Sequence, residues 1–309
     1  MVEEALEHRV RQAAFRWLDE QIEIHGDVLP RSLLAGGFLY QEQRVPLLGP
    51  QGIFKPRLLE LPLSITTIPS GPYEDGYTPE GLLLYHYRGT DPQHRDNVGL
   101  RHCMTHRIPL VYFHRVVEGK YLVVWPVFVV GDNPATLTFK VEMDDAKYLG
   151  NSLTDHSAVF RVEDDATEAR RSYITATVRR RVHQRTFRER VLHAYQEQCA
   201  LCRLHHEELL DAAHIIPDSE PDGDPVVPNG LALCKLHHAA FDRQFLGIRP
   251  DYVVEIRRDI LEEEDGPMLL HGLKGMHQRR IILPRSSRDR PDTELLARRY
   301  NKFMEMMSL

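Results

Sequence analysis

Near the start of the chain the apolar positions recur at a helical period. Val10, Ala14, Leu18 and Ile22 form one stripe of an amphipathic helix over 3–24, and His25-Gly26-Asp27 ends it. From Leu29 to Pro62 the chain is rich in Gly and Pro and has only short apolar runs, which predicts irregular structure with a few short strands. Between Leu63 and Val130 the pattern changes to strands: Leu82–Tyr87, Pro109–Phe113, Tyr121–Trp125 and Val127–Val130, the last two split by Pro126. Gly71-Pro72, Asp75-Gly76 and Gly131-Asp132-Asn133 read as turns. Such a run predicts a compact, mostly antiparallel β domain, partly closed into a barrel. It ends near 145–165, where Glu163-Asp164-Asp165 reads as a linker.

The remainder reads differently. Thr186-Phe187-Arg188-Glu189 fits a capping box and predicts a helix start, in which the two side chains satisfy each other's orphan backbone donors. A second helix is expected from about Leu231 to Arg243. Strands are expected at Tyr252–Arg257 and near Ile281–Leu283, and a last helix from about Thr293. No internal repeat or low-complexity tract interrupts the chain.

With 309 residues, the chain has room for about two domains. Its 42% hydrophobic and 27% charged residues are ordinary for a globular protein. No apolar run approaches the roughly 20 residues needed to span a bilayer. The acidic, amphipathic start MVEEALEHRV lacks a signal peptide's pattern, so a cytoplasmic location is the expectation. The net charge of -6 does not announce a nucleic-acid binder, but its distribution is uneven. Eight arginines and one glutamate lie between Ala169 and Arg190, and a second basic stretch runs from Arg279 to Arg299. Patches like these can follow a phosphate backbone while the rest of the surface stays acidic, and Arg179, Arg180 and Arg181 are the candidate backbone contacts. A solvated, salt-bridged helix face is the other reading of the same run.

Four cysteines are too few for a disulfide scaffold in a chain of this length. Three of them cluster beside histidines. Cys199-Ala-Leu-Cys202 and Cys234-Lys-Leu-His237 are chelating pairs with matched two-residue gaps, the usual construction of a tetrahedral structural Zn²⁺ site. Buried, reduced cysteines are the alternative. Between the pairs lie Asp211-Ala212-Ala213-His214-Ile215-Ile216-Pro217, an acidic loop and Asn229-Gly230-Leu231, followed by His237-His238 and Phe241-Asp242. Adjacent residues on a helix point about 100° apart, so His237 can face the zinc while His238 faces the strand that carries His214.

This segment resembles the HNH (ββα-metal) nucleases, in the subgroup stapled by a CxxC…CxxH zinc. The resemblance implies catalytic roles for His214, Asn229 and His238. His214 would be the general base that deprotonates a water, Asn229 would hold the loop and His214 in register, and His238 would ligate one catalytic divalent ion, Mg²⁺, Mn²⁺ or similar. Many members carry a second ligand immediately before the base; here that position is Ala213. Asp211 is the nearest carboxylate and the candidate partner of His238. It lies three residues from His214, however, and so faces away from it unless the strand bulges. Asp242, one helical turn after His238, is the weaker candidate.

In the N-terminal part, Gly71-Pro72-Tyr73-Glu74-Asp75-Gly76, Glu80-Gly81-Leu82-Leu83-Leu84-Tyr85, Asp96-Asn97-Val98-Gly99-Leu100 and Ile108-Pro109-Leu110-Val111-Tyr112 follow one another. This order resembles the SRA (YDG) domain, which flips modified cytosine into a pocket. The resemblance implies that Tyr73 and Tyr85 stack on the base and that Asp75 accepts from the cytosine amino group. The family often has a further acid where this chain has Gly76. Ordinary strand aromatics around a turn are the competing reading.

Together these resemblances imply an α+β protein: an SRA/PUA-like β-barrel domain over 1–160, a basic linker over 161–185 and a zinc-stapled ββα-metal nuclease domain over 186–309. The implied activity is that of a modification-dependent endonuclease acting on double-stranded DNA with 5-methylcytosine or 5-hydroxymethylcytosine. One nuclease site cuts one strand, so double-strand cleavage implies a homodimer or two binding events. An N-terminal domain that reads unmodified DNA, another modification or RNA is the alternative. A vestigial, purely DNA-binding zinc module is a third reading.

Overall fold

A computed structural model describes residues 2–69, 76–78, 82–143, 182–264 and 266–307. The chain divides into two compact units, Met1–Val182 and His183–Leu309. The expected 161–185 linker falls largely outside the described residues, as do Glu163-Asp164-Asp165 and Arg179, Arg180 and Arg181.

In the first unit, α1 (Val2–His25) buries the expected stripe, with Val10, Ala14 and Leu18 fully inside. Gly26 ends it in the left-handed region (φ +76°), its N–H donating to the Ile22 carbonyl at 2.9 Å. The segment read as irregular holds β1 (Val28–Pro30), the short helix α2 (Arg31–Gly36), the hairpin β2 (Phe38–Tyr40) with β3 (Gln43–Val45), and β4 (Ile53–Phe54). Next come β5 (Ser64–Thr67), β6 (Gly76–Tyr77), β7 (Leu83–His86), α3 (Arg95–Thr105), β8 (Leu110–Val117), β9 (Lys120–Asn133) and β10 (Thr138–Met143).

The main sheet has the order β4-β5-β8-β9-β10-β7-β6, with β1 also pairing to β9. Its pairs are antiparallel except β5 with β8. The sheet curls: the Tyr85 hydroxyl on β7 donates to the Thr66 carbonyl on β5 at 3.4 Å, and Arg88 donates to Gln51 at 2.6 Å. Among the described residues no pairing joins β6 to β4, so the sheet is open and the expected barrel closure is not seen there.

Both faces of the sheet are covered. Leu122, Val124, Val127 and Val129 of β9 join a core with Leu100 and Cys103 of α3. Tyr121, Val123 and Trp125 join a second core with α1 and the segment 29–63. Double burial replaces hydrophobic alternation with continuous apolar runs. β9 runs unbroken through Pro126 because the proline sits where the β8 register shifts, between Tyr112↔Val124 and Leu110↔Val127, so its missing N–H removes no regular ladder bond. Helix α3 was not among the expected elements. Its Asp, Asn and Gly are poor helix formers, and buried Asn97 secures its start by bonding Arg88 N–H, Arg88 C=O and Asp91 C=O.

The second unit opens with α4, helical over 182–194. The expected capping box is therefore inside a helix: Thr186 Oγ1 is buried without a partner, and Glu189 accepts from Arg188 at 2.7 Å. Strands β11 (Leu210–His214) and β12 (Gly230–Cys234) pair antiparallel from Leu210↔Cys234 to His214↔Gly230, and α5 (Lys235–Asp242) follows. The helix expected from Leu231 thus begins at Lys235, because 231–234 satisfy their backbone in the ladder instead. A Cβ at Gly230 would lie 2.4 Å from Val191 and 3.0 Å from Phe187, so only glycine lets α4 sit this close to β12. Strands β13 (Leu246–Ile248) and β14 (Val254–Ile256), short helices α6 (Arg258–Glu262) and α7 (Pro267–Gly272), and α8 (Thr293–Met307) complete the unit. The expected strand near Ile281–Leu283 is absent. Ile281 and Ile282 donate instead to the Tyr252 and Ala200 carbonyls, and only Val253↔Arg280 forms a bridge.

One buried charge ties α1 to the first unit. Arg11, 2% exposed, donates to the carbonyls of Leu61, Pro62 and Pro109 and pairs with Glu7 at 2.8 Å. Glu7 in turn accepts from the N–H groups of Glu60 and Leu61. Arg11→Ala strands that carboxylate and three carbonyls, and should destabilise the first unit by about 3 kcal/mol. Denaturant unfolding checks this; a change below about 0.5 kcal/mol would show that α1 is held by apolar packing alone.

Candidate functional site

Two sets of polar side chains meet in the second unit, both built on the β11–β12 hairpin and α5. The first is the cysteine cluster. Cys199 and Cys202 lie on the turn after α4, Cys234 ends β12, and His237 sits in the first turn of α5. The ligand atoms all lie within 4.8 Å of one another. Cys199 Sγ is 3.4 Å from His237 Nδ1, Cys234 Sγ is 3.2 Å from it, and the Cys202 and Cys234 sulfurs are 3.9 Å apart. A tetrahedral zinc with ordinary bond lengths has S–S edges of about 3.8 Å and S–N edges of about 3.6 Å, so the donors fit that ion. His237 Nε2 bonds the Gly272 carbonyl at 2.6 Å, which fixes the ring with Nδ1 toward the sulfurs. Burial pushes the His237 imidazole down, but the Cys199 and Cys234 sulfurs outweigh it and hold the ring up at about 10. The hydrogen bond from Ala200 N–H to the Ala232 carbonyl, at 2.7 Å, locks this knuckle to β12.

The second set surrounds His214 and His238. His214, the last residue of β11, stacks on Phe187 of α4, with centroids 4.0 Å apart and planes 19° apart. Its Nε2 is buried without a partner, the kind of orphan that a reactant or an ordered water satisfies. Burial lowers the His214 pKa below its ordinary value, as does His238, while Asp218 and Asp242 act the other way. Asn229 is fully buried. Its Oδ1 accepts from Ile216 N–H at 2.9 Å, and its Nδ2 donates to the carbonyls of Ile216 and Asp224. Both ends of the 217–228 loop are therefore closed on the strand that carries His214. This is loop closure, and β12 separates Asn229 from α5.

His238 lies between two carboxylates. Its Nδ1 is 3.4 Å from Asp211 Oδ2 and its Nε2 is 3.2 Å from Asp242 Oδ2. The hydrogen bond to Asp242 raises the His238 pKa against the effect of burial, and Asp211 adds to it. The same bond holds the Asp242 carboxyl below the usual carboxylate range. Asp211 reaches His238 although the β11–β12 ladder is regular, so no bulge is needed: α5 brings His238 to the face that Asp211 occupies. Asp211 is also committed to Lys235, at 2.9 and 3.0 Å. Asp242 is backed by Arg299 of α8, 3.8 Å away, whose guanidinium lies over Phe241 and donates to its carbonyl.

Phe187, Lys235 and Arg299 are site neighbours that the pattern along the chain did not single out. Arg299 lay within the noted basic stretch; Phe187 carried no signal beyond helix propensity. Of the expected base pocket, Tyr73 and Asp75 lie outside the described residues. Tyr85 is 5% exposed, and its ring is part of the first unit's core.

Residues 199–249 match a family model described as HNH endonuclease, so the second unit contains an HNH endonuclease domain. No curated protein sequence matches the chain. Among solved structures, the chain is similar to a modification dependent TagI restriction endonuclease, with a TM-score of 0.31 and 16% identity over 78% of this chain and 81% of that one.

Two outcomes follow from the geometry. The purified chain should carry one zinc, and a strong chelator or Cys234→Ser should unfold the second unit. Circular dichroism with metal analysis tests this, and a metal-free chain of unchanged melting temperature would exclude the staple. Separately, a His214 with a lowered pKa is neutral at pH 7 and gains its proton only as pH falls below 6.5. Were His214 the base in a metal-dependent cleavage, the rate at saturating divalent ion should rise with pH through a value under 6.5 and stay level above it. A pH–rate profile whose acid limb lies above 6.5 would remove His214 as the titrating base.

Proposed function

We propose that this protein is a metal-dependent, modification-dependent DNA endonuclease that reads 5-methylcytosine or 5-hydroxymethylcytosine and hydrolyses phosphodiester bonds nearby. The observation that carries the nuclease half is His214, Asn229 and His238 on one hairpin-and-helix unit beside the Cys/His cluster. In this reading His214 takes a proton from the attacking water. Asn229 keeps the base-bearing strand end in place, and Phe187 sets the plane of the His214 ring.

The chemistry of the donors favours a revised pair of ligands for the divalent ion: His238 through Nε2, with Asp242 as the carboxylate. Asp211 then holds Nδ1–H of His238 and orients the ring. Bound there, Mg²⁺ or Mn²⁺ would polarise the scissile phosphate and neutralise charge on the leaving 3′ oxygen.

The reading half rests on the order of motifs between Gly71 and Tyr112 and assigns Tyr73, Asp75 and Tyr85 to the modified base. One observation favours a second reading, in which the first unit recognises some other DNA feature or RNA: the Tyr85 ring is inside a core and offers no open face.

Digestion of identical DNAs carrying cytosine, 5-methylcytosine, 5-hydroxymethylcytosine or its glucosylated form, with Mg²⁺ or Mn²⁺, separates the two. Cleavage restricted to a modified substrate is the expected result; equal cleavage of all four would retain the nuclease and discard the reader. His214→Ala should lower cleavage by at least about 10²-fold and leave binding intact. Loss of folding in that variant would make His214 structural.

A further inference from the structure

The first unit carries a cationic cleft whose lining includes none of the residues assigned to the base pocket or the nuclease centre. It is open, about 390 Å³ in volume, and lined by Arg44, Pro46, Phe54, Lys55, Pro56 and Arg57. Arg44 comes from β3 of the hairpin, and Phe54 ends β4, with Lys55 to Arg57 directly after it. The three cations are exposed, while Pro56 is buried and Phe54 and Pro46 are half-buried. The cleft thus has an apolar floor and a basic rim.

These cations are not spent on internal ion pairs. Arg44 donates once to the Gly36 carbonyl at 3.1 Å, and Lys55 once to the Leu59 carbonyl at 2.8 Å. Among the described residues none of the three pairs with a carboxylate, although the chain as a whole is acidic. Each keeps N–H groups free for an external acceptor. The backbone bonds hold the stems of Arg44 and Lys55, which reduces the entropy lost on binding. The ring of Phe54 packs closely on Gly49, where a Cβ would fall 2.2 Å from its Cδ2.

We infer that this cleft binds the sugar–phosphate backbone of duplex DNA, with phosphates on Arg44, Lys55 and Arg57 and deoxyribose faces on Phe54 and the prolines. A nucleic-acid backbone is the ligand whose alternating charge and apolar sugar match a basic rim over an apolar floor. An acidic peptide would satisfy the rim but leave the floor without a periodic apolar partner. The inference rests on the reading of this chain as a DNA enzyme. It adds a contact that supplies affinity without sequence or modification preference, outside the residues that would read a base.

The test is equilibrium binding of the full chain to a short fluorescent duplex, with and without 5-methylcytosine, across a salt series and with no divalent ion added. The variants are the triple Arg44→Gln, Lys55→Gln, Arg57→Gln, and Arg57→Gln alone, which breaks no internal bond. Three phosphate contacts contribute about 2.7 to the salt slope, so between 50 and 200 mM salt the triple variant should lose about 40-fold less affinity than the parent, and Arg57→Gln about 3-fold less. Both decreases should be equal for modified and unmodified duplex, with an unchanged melting temperature for Arg57→Gln. If the parent binds duplex and the variants keep its affinity and slope, the cleft assignment fails while the enzyme reading stands. Preferential binding of single strands or RNA, lost in the variants, would overturn the choice of duplex. A parent that binds no duplex at all would overturn the DNA reading itself.

Discussion

Three sulfurs and one imidazole nitrogen held within 4.8 Å of one another organise the second unit. The cluster gathers the turn after α4, the end of β12 and the first turn of α5; the last two adjoin, and 32 positions separate Cys202 on the first from Cys234. A zinc ion suits the donor set and its spacing. Once His237 is committed to that cluster, the orientation of α5 is decided. His238 must then project about 100° away, toward the hairpin strand that ends in His214. The structural cluster thus indirectly aims the histidine proposed to serve catalysis.

A second layer of constraint acts on the hairpin itself. Asn229 has its amide fully buried and bonded at both oxygen and nitrogen, which closes the 217–228 loop on β11. Gly230 lets α4 approach until Phe187 stacks on His214. The base candidate is therefore gripped from its strand, its loop and its neighbouring helix. The same burial that grips it lowers its pKa, which keeps it neutral and able to accept a proton. Arg299 extends this support to α8 by capping the end of α5 and backing Asp242. A preorganised site of this kind needs such supports, because small misplacements of reacting groups cost large factors in rate.

The first unit solves a different problem. Its central strands β8 and β9 are buried on both faces, so two cores form, one under α1 and one under α3. Arg11 and Glu7 pin α1 by satisfying carbonyl and N–H groups of the chain around Leu61. The basic cleft engages only two backbone carbonyls, and its three cations are exposed.

Much of the second unit was legible along the chain, because metal chelation and the histidine–asparagine–histidine set depend on short spacings between chemically unusual residues. Helix α1 was legible for a related reason: its period is local and strong. Other features were not. Nothing local distinguishes Asp211 from Asp242 as the partner of His238 Nε2; only the placement of α5 against β11 gives one carboxylate Nδ1 and the other Nε2. The capping-box pattern at Thr186 was real as a pattern but lay within a longer helix, and Leu231–Cys234 have helix-forming residues that the β11 ladder claimed instead. Pro126 seemed to divide a strand that a register shift lets continue. Residue types and spacings by themselves indicated the groups available to this protein: a Cys/His cluster of zinc-type spacing, a histidine–asparagine–histidine set and a cationic run. Tertiary structure decided which groups meet and how their charges balance, because burial and contact between segments far apart in sequence set hydrogen bonding and pKa, and neither is written in local order.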